Sequence, residues 1–96
     1  MGYAAYIKNK REEMLAIAKA HGADNVRIFG SYARSEEKPP SDIDLLVEMA
    51  PDRSLLDVIA IKQEIEDLVN KKVDVVTEDA LSPYIHKEIH REAIAL

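Results

Sequence analysis

"FGSYARSEEKPPSDIDLLVE", residues 29–48, is the stretch on which the reading of this chain turns. Gly30 and Ser31 close a short apolar run, and ten residues later Asp42 and Asp44 interrupt the start of another. In a strand, residues two apart point to the same side and lie about 7 Å apart along it. Entering one strand together, Asp42 and Asp44 share a side and leave Ile43 and Leu45 to the opposite one. A carboxylate placed in a core strand is costly unless something compensates its charge. The bland alternative is a turn or a helix cap, which "SDID" often supplies.

Outward from that stretch, the hydrophobic pattern defines the elements. From Tyr3 to about His21 apolar residues recur at helical spacing, with "KNKREE" as the wet face and Gly22 as the stop. "NVRIFG", 25–30, reads as a strand, and "IDLLVEM", 43–49, as a second. Leu45, Leu46 and Val47 cover both faces of that second strand, as in one packed on two sides. Ser54 is placed as an N-cap with Asp57 in the first turn. The stripe Leu55, Val58, Ile61, Ile65 and Leu68 then predicts a helix to about Asn70. "KVDVVT", 72–77, is the third strand, and Ser82-Pro83 opens a last helix in which Leu81, Ile85, Ile89 and Ala93 step by four. The expected fold is α/β, a small mixed β-sheet with helices packed on it. The long crossover helix makes strands two and three a parallel pair.

The chain has 96 residues, enough for one domain and one core, so a single domain over 1–96 is expected. A net charge of −5 and scattered basic residues argue against nonspecific nucleic-acid binding. No apolar run approaches a membrane span, and the first residues lack the order of a signal peptide. Without cysteine, disulfides and thiolate metal sites are excluded. A cytoplasmic protein is the expectation.

The third strand carries its own acid, Asp74, between Val73 and Val75. With strands two and three adjacent in suitable register, Asp74 completes a cluster with Asp42 and Asp44. Three carboxylates so close resist ionising together, and a divalent cation reverses that logic. Mg²⁺ fits, because it takes oxygen ligands and commonly binds substrate phosphates alongside a few carboxylates. Gly30 and Ser31 then suit the phosphates: glycine allows close backbone approach, and serine adds an N–H and a hydroxyl. No Walker A pattern is present. With each residue type used at roughly 5–7%, Gly-Ser and Asp-x-Asp at this spacing match by chance about once in 10⁵ windows.

Gly30-Ser31, ten residues, then Asp42-Ile43-Asp44 resembles the signature of the DNA polymerase β-like nucleotidyltransferase superfamily, and in particular its minimal nucleotidyltransferases. The likeness covers about residues 22–96, with Asp74 in "VDVVT" matching the third carboxylate; Ser35 departs from the usual glycine. The resemblance implies a polymerase β-like fold and an active enzyme. Asp42, Asp44 and Asp74 would be the catalytic, metal-binding residues for two Mg²⁺ ions. Gly30 and Ser31 would bind the triphosphate of ATP, with Arg34 assisting. It further implies an antitoxin that transfers AMP from ATP to a tyrosine of a HEPN-type toxin. A chain this short leaves little surface for a deep acceptor pocket, which favours an acceptor brought by a protein partner. The alternatives are a non-catalytic antitoxin that covers its toxin, and a transferase acting on a small molecule or an RNA end.

His86 and His90 stand four apart on the last helix, but the H-E-x-x-H order is absent and the pair reads as a solvated face. His21, beside the Gly22 stop, reads as a cation suited to the helix dipole.

Overall fold

A computed structural model describes residues 5–30, 42–80 and 83–96. The chain begins with α1 (Ala5–Asn9) and α2 (Arg11–Ala20), followed by β1 (Ala23–Phe29) and β2 (Ile43–Met49). Helix α3 (Leu55–Val69) leads to β3 (Val73–Thr77) and a 3₁₀ turn (Glu78–Ala80). Helix α4 (Pro83–Glu92) and a short β4 (Ile94–Ala95) complete the fold.

The sheet has the order β3-β2-β1-β4. Strands β2 and β3 run parallel, joined by α3, while β1 pairs antiparallel with both β2 and β4. The mixed α/β sheet and its parallel pair are those expected from the sequence. One face of the sheet carries the core: Ile28, Ile43, Leu45, Val47 and Val73 lie against Met14 and Ala18 of α2 and Ile61, Ile65 and Val69 of α3. Leu46, also fully buried, belongs to the opposite face, where its partner across the ladder is Arg27. The double-sided burial predicted for β2 is therefore present.

Several expectations are corrected. The first helix is two, because Lys10 leaves helical geometry (φ −99°, ψ 2°). Strand β1 starts two residues early and carries a bulge between Asp24 and Arg27, where Asn25 adopts φ +51°. Asparagine tolerates that left-handed backbone better than most side chains. The buried stripe of α3 is Ile61, Ile65 and Val69, while Leu55 at the first turn is 71% exposed. On α4, Ile85 is 51% exposed and Ile89 only half-buried, as is Ala93 just past its end, so the apolar steps there do not enter the main core. Tyr3, Leu81 and Ser82 lie outside the described residues.

The α3 entry follows the sequence closely. Ser54 N–H donates to Asp57 Oδ2 (3.1 Å) and Leu56 N–H donates to Ser54 Oγ (3.2 Å), forming a capping box. Asn70 ends the helix in the left-handed region (φ +55°), its amide donating to the Glu66 carbonyl at 2.8 Å. Glu66 also receives the amide of Val73 at 3.0 Å, which ties the crossover helix to the strand it leads into.

Candidate active site

Asp44 is the third-strand acid's direct neighbour. The parallel register of β2 and β3 pairs Asp44 with Asp74, between the pairs Ile43–Val73 and Leu45–Val75. Paired positions on adjacent strands point to the same side and their backbones stand about 4.8 Å apart. The flanking apolar pairs go to the core, and the acids go to the other face. Asp42 immediately precedes β2, two positions before Asp44. Asp44 is half-buried, whereas Asp42 and Asp74 are exposed.

The antiparallel partner of Asp44 on the other side is Phe29, the last residue of β1. Gly30 follows at once, with φ +76°. A Cβ at Gly30 would stand 2.3 Å from Asp44 Oδ2, so glycine is required by both backbone conformation and space. The amide of Gly30 donates to Glu92 Oε1 at 3.0 Å, an anionic oxygen delivered by α4. The turn after β1 thus brings the glycine backbone against a half-buried carboxylate, with its N–H donating to the carboxylate of Glu92. Ser31 and Arg34, the other expected nucleotide-binding residues, lie outside the described residues, as does Ser35.

The donor set suits a hard dication. Asp42, Asp44 and Asp74 offer only carboxylate oxygens, the donors such an ion takes, and Asp44 Oδ2 fills the space a side chain at Gly30 would need. The register pairs Asp44 with Asp74, but the three carboxylates do not all come within 4.8 Å of one another, so the expected three-acid cluster is not closed. The contact of Glu92 with the Gly30 amide is one the sequence did not disclose: it spans 62 residues, and only the return of α4 to the sheet makes it.

The same sheet face continues along β1 and β2 through Arg27, Leu46 and Glu48, and past the end of β3 it meets Glu78. There Arg27 pairs with Glu78 and lies 3.8 Å from Glu48. His86 and His90 keep the solvent exposure expected of them, and both also turn to Glu78, a contact the sequence did not disclose. Burial pushes the Glu78 carboxyl up, but hydrogen bonds from His90 and Arg27 outweigh it and hold it below its ordinary value. His21 bridges α2 and α3, with Nε2 2.5 Å from Glu64 and Nδ1 3.7 Å from Asp57. The hydrogen bond from the Ser54 amide, aided by Arg53 and His21, holds the Asp57 carboxyl below the ordinary range.

A nucleotidyltransferase-domain model matches residues 7–96. The chain belongs to the nucleotidyltransferase domain family, and within it to the minimal nucleotidyltransferases. A Methanocaldococcus jannaschii relative named, by inference, a protein adenylyltransferase is 41% identical, over 92% of this chain and 95% of its own length. The protein adenylyltransferase MntA of Thermococcus cleftensis is 35% identical, over 86% and 92%. A solved structure assigned by inference as a minimal nucleotidyltransferase superposes with a TM-score of 0.87 at 42% identity, covering 94% of this chain and 92% of that one. One chain of a solved complex of tri-AMPylated Shewanella oneidensis HEPN toxin with MNT antitoxin superposes with a TM-score of 0.71 at 17% identity, over 92% of this chain and 69% of that one. That last likeness is one of fold alone. The family membership and the enzyme class expected from Gly30-Ser31 and the three aspartates are the ones found.

Proposed function

We propose that the chain is a Mg²⁺-dependent protein adenylyltransferase that moves AMP from ATP to a tyrosine of a HEPN-type toxin, acting as its antitoxin in the cytoplasm. The observation that carries the reading is the register that sets Asp44 beside Asp74, with Gly30 closed against Asp44 from the other side. Among the described residues no helix is long and apolar enough to cross a membrane.

Asp42 and Asp44 would hold the metal ions beside the triphosphate, and Asp74 would add its carboxylate where the acceptor hydroxyl arrives. Two bound Mg²⁺ ions would supply the charge that activates the attacking oxygen and stabilises the departing pyrophosphate. Gly30 presents its N–H to phosphate oxygens in place of the carboxylate it now meets, Ser31 adds a hydroxyl, and Arg34 offsets phosphate charge. The acceptor oxygen bonds to the α-phosphorus as the bond to pyrophosphate breaks, and its proton leaves toward Asp74. The exposure of Asp42 and Asp74 supports an acceptor delivered by another protein, because both can be reached from outside. A net charge of −5 speaks against nucleic acid as the acceptor.

Incubation with ATP, Mg²⁺ and a HEPN-type toxin, followed by intact mass, tests this reading. The partner should gain whole AMP units on tyrosine, and the gain should vanish with Asp44→Asn. Neutralisation of the toxin by both proteins without any mass gain would leave a binding antitoxin and refute the transfer.

A further inference from the structure

Beyond the aspartate edge, three side chains that the proposed reaction does not use converge on one point. His86 and His90 are one helical turn apart on α4, and both direct Nε2 at the same oxygen, Oε2 of Glu78, from 3.2 and 2.9 Å. Their rings stack with centroids 4.2 Å apart and planes 30° from parallel. One ligand atom from each of the three falls within 4.8 Å of the other two. Arg27 takes the other oxygen of Glu78, Oε1, and so fixes the carboxylate from behind.

We infer that Glu78, His86 and His90 form a second metal site, for a transition-metal dication of the zinc class, with a fourth position open to water. Imidazole nitrogens suit Zn²⁺, Co²⁺ or Ni²⁺ and not Mg²⁺, so this site and the all-oxygen aspartate edge select different metals. Tetrahedral ligands at about 2.0–2.2 Å from an ion stand roughly 3.3–3.5 Å from one another. The separations of 2.9 and 3.2 Å need to open by only a few tenths of an ångström. The site is within reach of solvent, since the side chains of His86 and His90 are 44% and 35% exposed. Arg27 supplies the outer contact that ligating carboxylates commonly have. Its Nη1 also lies 3.2 Å from His90 Nδ1. A metal-bound His90 keeps its proton on Nδ1, so loading moves Arg27 off that nitrogen while it stays on Glu78.

The ion would pin α4 to the end of β3. Because α4 also carries Glu92 to the Gly30 amide, the site lies within one helix of the aspartate edge, yet it stands or falls independently of the transfer reaction.

Equilibrium dialysis of the tag-free chain against Zn²⁺ in excess Mg²⁺ tests the site, with folding of each variant checked by circular dichroism. One Zn²⁺ per chain should bind and raise the thermal midpoint, and Co²⁺ in its place should give tetrahedral absorption bands. His86→Gln and His90→Gln should each weaken Zn²⁺ at least about tenfold, since even outer-contact losses cost that much. His21→Gln and Asp44→Asn should bind as the natural chain does. No stoichiometric Zn²⁺, binding that survives both His86→Gln and His90→Gln, or binding lost with Asp44→Asn or His21→Gln would overturn the assignment.

Discussion

Asp44 has neighbours that constrain it from two sides, Asp74 on β3 and Gly30 at the end of β1. Removing its charge should cost several kcal/mol of transition-state stabilisation, or at least about a hundredfold in AMP transfer, with little change in folding. Steady-state kinetics of Asp44→Asn alongside its thermal midpoint separates the two effects. Gly30→Ala is a different lesion. A left-handed alanine costs roughly 1–2 kcal/mol by itself, and its Cβ would collide with Asp44 Oδ2. It should lower both the thermal midpoint and the transfer rate, whereas Asp44→Asn lowers only the rate. At this scale the sequence pointed to the family through Gly30-Ser31 and Asp42-x-Asp44 taken together, since a lone pair of alternate acids is as well suited to a turn. It could not disclose Glu92, whose approach to Gly30 depends on where α4 comes to lie.

Helix α3 was legible at its ends and less so along its flank. Ser54 and Asp57 announce the capping box, and Ser54→Ala should destabilise the fold by about 1 kcal/mol in denaturant melts. Leu55 fits the apolar stripe by spacing, yet it is exposed, whereas Ile61 and Ile65 further along the helix belong to the core. Leu55→Ala should therefore change stability by less than about 0.5 kcal/mol, while Ile65→Ala should cost about 2–5 kcal/mol. Strand β4 escaped the sequence reading for a physical reason. Two residues carry no periodicity, and their pairing with Arg27 and Ile28 is set by tertiary position. The amide of Leu96 extends that edge by donating to the Val26 carbonyl at 3.0 Å.

Around the apolar core, several carboxylates with cationic or amide partners tie the elements together, and two of them have lowered pKa values. Asp57 links the α3 cap to Arg53 and His21, and Glu78 joins β1 to α4 through Arg27 and His90. Both carboxyls are held below their ordinary values, so unfolding takes up protons in acid. Their stabilisation is complete above the unfolded carboxylate range, about pH 4, and is lost as pH falls through the lower folded values. Thermal midpoints should drop below about pH 4, and the drop should be shallower in Asp57→Asn. Topology was readable at this scale because a long crossover helix between two apolar strands permits few arrangements. Which histidines meet which acid was not, since those contacts join β1, α4 and the turn after β3.

Calorimetric titration with a non-hydrolysable ATP analogue tests most directly whether the aspartate edge and the Gly30 turn are one metal–nucleotide site. The natural chain should bind one equivalent with Mg²⁺ and lose that binding on chelation, and Asp44→Asn and Asp74→Asn should each weaken it strongly while remaining folded. Equal binding without Mg²⁺, or binding unchanged by both substitutions, would contradict the account.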